Sequence, residues 1–294
     1  MTDERLPDDQ IWISQTSLDR RSVIQGGAFA AGFALACQPI SAATILTPGD
    51  GLVQEQTALR ATDGFSLPLF VAHPAGRMPA PIIVVVHEIF GVHEWVKDIC
   101  RRLARAGYYA VAPDLFARAG DATKVADMKV LTSSIVSQTP DAQVLADIDT
   151  VYAWAGTHGG DERHRGITGF CWGGRIVWLY AAHAQQLDAG VAFYGKLVTQ
   201  PTALQPQSVL DKVAQIRAPV LGQYGGKDKG ISQEDVTAMR TKLKELKKSP
   251  PSEITVYPDA EHGFMADYRP SYDEQAAKAA WAATLHWFGT YLKK

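Results

Sequence analysis

Cysteine is scarce in this 294-residue chain: it occurs only as Cys37, Cys100 and Cys171. Three cysteines are too few for a disulfide framework, and their spacing matches no common zinc site. Long apolar runs are missing too. None approaches the roughly 20 residues that a membrane-spanning helix needs. Charge of one sign is also lacking, with 29 Lys and Arg against 31 Asp and Glu and a formal net charge of −2. No basic run is interleaved with aromatics, so a nucleic-acid partner has no electrostatic footprint. The Lys-rich stretch 242–248 reads as the wet face and end of a helix. From 44 to 294 there is no internal repeat or low-complexity linker, which predicts one domain over that range.

The first 43 residues read as an address. Arg20-Arg21 precede a mildly apolar, alanine- and glycine-rich stretch at 26–36, and small residues follow at Ser41-Ala42-Ala43. A charged part, an apolar part and a small-residue exit make a secretory signal, and the arginine pair points to the twin-arginine route for folded cargo. Cleavage is expected after Ala42 or Ala43, with the protein periplasmic or exported. Two other readings stay open. Cys37 suits a lipoprotein site, although Ala34 stands where a larger aliphatic residue is usual. An ordinary N-terminal helix would leave the protein cytoplasmic. A nucleophilic thiol is at risk in an oxidising compartment, and export after folding would shelter it.

Beyond the leader, short apolar runs alternate with helix-length amphipathic stretches. A lead-in hairpin is expected at 57–62 and 67–72. Strands are expected at 82–86, 108–112, 165–168, 189–194, 219–224 and 254–257. Helices are expected at 96–106, 142–155, from 175, from Ser232 to 248, and at 272–292. Ile82-Ile83-Val84-Val85-Val86 is a continuous β-branched run, as a strand buried on both faces requires. Alternating strands and helices predict an α/β fold with a largely parallel sheet and helices on both faces. Ligands in such sheets bind beyond the carboxyl ends of the strands, so residues just after strands are the candidates.

Gly169-Phe170-Cys171-Trp172-Gly173-Gly174 is the most informative of these strand ends. It has the G-x-S-x-G form of a nucleophile elbow, with cysteine in the serine position. Other strand ends carry His87-Glu88, Gly225-Gly226-Lys227-Asp228 and Asp259-Ala260-Glu261-His262-Gly263-Phe264. Nucleophile, acid and base thus follow the chain order of α/β-hydrolases. A free thiol ionises near pH ~8.5. His262 can take the Cys171 proton or stabilise the thiolate, Asp228 can fix the imidazole tautomer, and the following helix adds positive potential. Backbone N–H groups of Ile89 and Trp172 are candidates for an oxyanion hole. Cys100, in a helix-like stretch, reads as a small buried hydrophobe.

Five blocks together resemble the dienelactone hydrolase (carboxymethylenebutenolidase) family: His87-Glu88-Ile89-Phe90-Gly91, Pro113-Asp114-Leu115-Phe116-Ala117-Arg118, the cysteine elbow, Gly225-Gly226-Lys227-Asp228 and Glu261-His262-Gly263-Phe264. The resemblance implies an α/β-hydrolase fold without metal or organic cofactor. It also implies opening of lactones or cleavage of esters through an acyl-thiol intermediate. Cys171 would be nucleophile, Asp228 acid and His262 base, with Glu88 the carboxylate that contacts the resting thiol. The substrate end departs from the family pattern. Two arginines grip the substrate carboxylate in members that cleave dienelactone, but Ala266 occupies the first position. Around the second stand only Lys124 and Lys129. Arg269 or Lys124 is the expected substitute, and Trp172 and Tyr194 are the expected pocket walls, suiting an apolar or aromatic ester. Two alternatives remain: a non-catalytic binding protein, and a thiol redox sensor pairing Cys171 with Cys100.

Overall fold

The computed structural model describes residues 45–292, Arg77 excepted. The leader expected at 1–43, with the expected cleavage site and Cys37, lies outside the described residues. β1 (Leu52–Arg60) and β2 (Ser66–Pro74) form the lead-in hairpin. The other strands are β3 (Ala80–Val86), β4 (Tyr109–Pro113), β5 (Gly160–Phe170), β6 (Ala189–Phe193), β7 (Val220–Gly225) and β8 (Glu253–Tyr257). They join one sheet in the order β1-β2-β4-β3-β5-β6-β7-β8. The two pairings of β2 are antiparallel, and every pairing from β4 to β8 is parallel.

Among the described residues, five helices exceed eight residues: α1 (Glu94–Arg105), α2 (Asp141–Thr157), α3 (Trp172–His183), α4 (Gln233–Glu245) and α5 (Glu274–Tyr291). Side-chain alternation along β5 shows which face each covers. Phe170 points to Trp95 of α1, with ring centroids 4.8 Å apart. Gly166, on the same face, lies under Phe288 of α5. Gly169 faces the other way, onto Val177 of α3. Tyr152 of α2 stacks on Tyr180 of α3 at 5.8 Å. With helices on both faces, Ile82 to Val86 are fully buried.

Several elements differ from their sequence expectation: β1 begins at Leu52 rather than 57, and an unexpected short helical stretch spans 209–215. β5 starts at Gly160 rather than 165, because the register against β3 jumps from Pro81–Asp161 to Ile82–Arg165. Glu162, Arg163 and His164 bulge out there, and their polarity hides the strand. α4 stops at Glu245 rather than 248, where Lys247 turns to φ 47°. Short helical turns occupy 122–124 and 128–138 where no element is expected. The side chains of Asp121 and Asp127 nucleate them by accepting the N–H groups of Thr123 and of Lys129 and Val130.

Candidate active site

Cys171 sits between β5 and α3 at φ 55° and ψ −113°. A non-glycine residue adopts such angles only when its surroundings impose them. The surroundings here are backbone. A Cβ on Gly169 would lie 2.4 Å from the Gly173 carbonyl oxygen, and one on Gly173 would lie 2.4 Å from that of Val86. A Cβ on Gly174 would lie 2.3 Å from the Phe193 carbonyl oxygen. The elbow glycines let three strand ends and a helix start meet without side chains between them. The Cys171 N–H donates to Phe193 O at 3.0 Å, which ties the elbow to β6. Trp172 is the first residue of α3, so the helix offers its N–H no acceptor.

Asp228 follows β7 and His262 follows β8. Their side chains meet at 2.7 Å, Nδ1 to Oδ2, and both are buried. The other Asp228 oxygen accepts the Gly230 N–H at 2.7 Å. One carboxylate oxygen is therefore held by backbone while the other orients the imidazole. The loops approach so closely that a Cβ on Gly225 would lie 2.5 Å from Ala260 O.

Tyr194, at the end of β6, is the hub around which these groups gather. Its ring meets that of His262 edge-on at 5.1 Å. Burial pushes its phenol far above the usual tyrosine range, and the charges of Glu88 and Cys171 act in the same direction. The backbone stands at φ 37°, and the hydroxyl, fully buried, makes no hydrogen bond to the described residues.

Glu88 follows β3 and is fully buried. Arg269 Nη2 lies 3.0 Å from its Oε1, the Tyr268 hydroxyl donates to its Oε2, and His93 Nε2 stands 4.0 Å away. Arg269, expected as a substrate contact, is thus paired with the site's own carboxylate. Lys124 lies outside this cluster: its side chain is 82% exposed and pairs with Asp121 at 2.9 Å. Ala266 is buried. Trp172 packs against His87 and Phe116, with centroids 5.4 and 4.5 Å apart.

Tyr268, His93 and Arg175 escape sequence reasoning, and His87 was named there without a role. Tyr268, His93 and His87 surround Glu88 and Ile89, and Arg175 grips Asp141 through two 2.7 Å bonds. Only His87, directly after a strand, carries a positional signal. Cys100 is buried in α1, and burial pushes its thiol pKa up, so it stays protonated.

Cys171 is 1% exposed, and the cavities of about 550 and 490 Å³ beside Arg165 and beside Leu179 are not lined by it.

Comparison with known proteins gives a consistent set of relatives. The model of the dienelactone hydrolase family matches residues 67–292. A Methylorubrum extorquens protein named "Putative carboxymethylenebutenolidase" is 47% identical over 280 residues, covering 95% of each chain. An Escherichia coli K12 protein of the same name is 48% identical over 261 residues, 88% of this chain and 95% of its own. The crystal structure of a "Putative Dienelactone Hydrolase" from Klebsiella pneumoniae superposes with a TM-score of 0.80 at 48% identity, covering 82% of this chain and all of that one. A dienelactone hydrolase-like promiscuous phosphotriesterase from metagenomic libraries is 25% identical with a TM-score of 0.67, covering 82% and 99%.

Proposed function

The chain belongs to the dienelactone hydrolase family, and from that premise we propose that this carboxylic ester and lactone hydrolase works through an acyl-thiol intermediate on Cys171. The observation that carries the reading is the buried 2.7 Å Asp228–His262 pair, together with a strained elbow cysteine at another carboxyl strand end of the same sheet. His262 accepts the thiol proton, and Asp228 holds the ring so that Nε2 faces the chemistry. The sulfur attacks the carbonyl carbon, and the C=O electron pair moves onto oxygen. The N–H groups of Ile89 and Trp172 receive that oxyanion. Its collapse expels the alkoxide, which takes the proton from His262 and leaves a thioester. Water, deprotonated by His262, attacks the thioester and releases the acid and the thiolate. In a lactone the alkoxide stays tethered to the acyl group, so one product forms.

Glu88 is read as a fixed charge beside the thiol. Arg269 and the Tyr268 hydroxyl already engage its carboxylate oxygens, and His262 is the proton acceptor in this reading. The same pairing supports an uncharged substrate. A substrate carboxylate could engage Arg269 only by leaving Glu88 uncompensated in a dry site. Trp172 and Tyr194 suit an apolar or aromatic group.

The test is alkylation with iodoacetamide together with Cys171→Ser, assayed on p-nitrophenyl acetate and a panel of neutral lactones. Alkylation at Cys171 should abolish turnover, and the serine variant should lose roughly a thousandfold because its alkoxide is harder to form. Full activity in a protein modified at Cys171 would rule the thiol out.

A further inference from the structure

We infer that His87 is the positioning residue of the oxyanion hole, holding both of the residues whose N–H groups build it. The inference rests on the acyl-thiol reading above.

His87 takes no part in proton transfer, yet both of its ring nitrogens are committed. Nδ1 lies 2.6 Å from the Glu88 carbonyl oxygen. A carbonyl oxygen only accepts, so Nδ1 carries the proton. Nε2 receives the Leu115 N–H at 3.1 Å, so Nε2 offers its lone pair. One neutral tautomer is therefore fixed from two sides. The ring is fully buried, and burial pushes its pKa below the ordinary histidine value, in keeping with that tautomer.

The consequence for Ile89 follows from peptide geometry. The Glu88–Ile89 peptide is trans and planar, so its C=O and N–H point in opposite directions. Pinning the carbonyl to His87 turns the Ile89 N–H to the other side. No other described group takes up that N–H. The same imidazole stacks on Trp172, with planes 17° apart. Phe116 closes its edge at 4.7 Å. A single side chain thus joins the ends of β3, β4 and β5, bonding to the peptide that carries the Ile89 N–H and stacking on the Trp172 ring. A donor displaced by a fraction of an ångström loses much of its value to a developing oxyanion.

Two variants of similar size separate this role from simple packing. His87→Asn keeps an amide N–H near the Nδ1 position, and His87→Leu keeps the bulk without a donor. On p-nitrophenyl acetate, His87→Leu should lower kcat roughly ten- to hundredfold, with KM little changed. His87→Asn should stay within about threefold of wild type, as expected when only a secondary contact is lost. The iodoacetamide reaction rate of Cys171 should be unchanged in both, since thiolate formation uses other residues. A wild-type kcat in His87→Leu, an equal fall in His87→Asn, or a parallel fall in alkylation rate would overturn the inference. If His87→Leu does not fold, His87→Asn decides alone: near-normal kcat supports the role and a tenfold or larger fall removes it. Failure of the thiol mechanism would appear separately, as wild-type turnover that survives alkylation.

Discussion

Cys171 and Tyr194 both have positive φ, at 55° and 37°, a conformation that costs side-chain-bearing residues of order 1–3 kcal/mol. Each is held by a backbone bond: Cys171 N–H to Phe193 O at 3.0 Å, and Tyr194 N–H to Gln223 O at 2.8 Å. The two residues follow the adjacent strands β5 and β6, and the Tyr194 ring meets that of His262. Cys171 was legible in the sequence because its neighbours are glycines at fixed offsets. Tyr194 was legible as the last residue of a strand and as a pocket wall, but its backbone strain was not. Its hydroxyl gives the residue-scale prediction. Tyr194→Phe removes a buried hydroxyl that has no partner among the described residues, so urea unfolding should show stability unchanged or raised by up to about 1 kcal/mol. Steady-state kinetics should show KM raised for esters that bond to the hydroxyl. A loss of stability would mean that the hydroxyl has a partner in the free protein.

Helix α3 begins directly after Cys171, the proposed nucleophile, and the Arg175–Asp141 pair anchors its first turn. The guanidinium grips the Asp141 carboxylate at the start of α2 through two 2.7 Å bonds and donates a third, at 3.0 Å, to Gln207 O. The pair is almost fully buried. Removing either partner strands the other charge away from water, so Arg175→Met or Asp141→Leu alone should cost about 3–5 kcal/mol. The double variant should recover most of that loss. A denaturant melt of all three checks this, and additive losses in the double variant would contradict it. Helix boundaries were legible within a few residues because capping is local: Ser232 accepts the Asp235 N–H, and Asp273 that of Ala276. The pairing of α3 with α2 was not legible. Arg175 and Asp141 are 34 residues apart, and neither lies in a motif.

Across the whole molecule, the buried histidines make stability depend on pH. Burial lowers the His93 pKa from 6.5 to about 4, with Glu88 opposing and Arg269 assisting. His87 moves the same way. The unfolded chain binds these protons at a higher pH than the folded one, so their contribution is complete above pH 6.5. It falls as the pH drops toward 4. Between pH 7 and pH 5, His93 alone should remove roughly 2 kcal/mol. Urea unfolding of wild type and His93→Gln across that range checks this: the variant should show a flatter slope, and an unchanged slope would refute the assignment.

The sequence by itself determined the sheet and the strand ends that carry Cys171, Asp228 and His262. Buried parallel strands require apolar runs, turns require glycine, and catalytic side chains follow strand ends in a fixed order. Each of these is a local pattern that a linear reading detects. Tertiary structure decided the electrostatics of the site. It paired Arg269 with Glu88, left Lys124 in solvent and set His87 between the two candidate oxyanion donors. Those outcomes depend on which loops meet above the sheet. Ångström-scale contacts between residues as many as 181 positions apart leave no periodicity, spacing or composition for the chain to display.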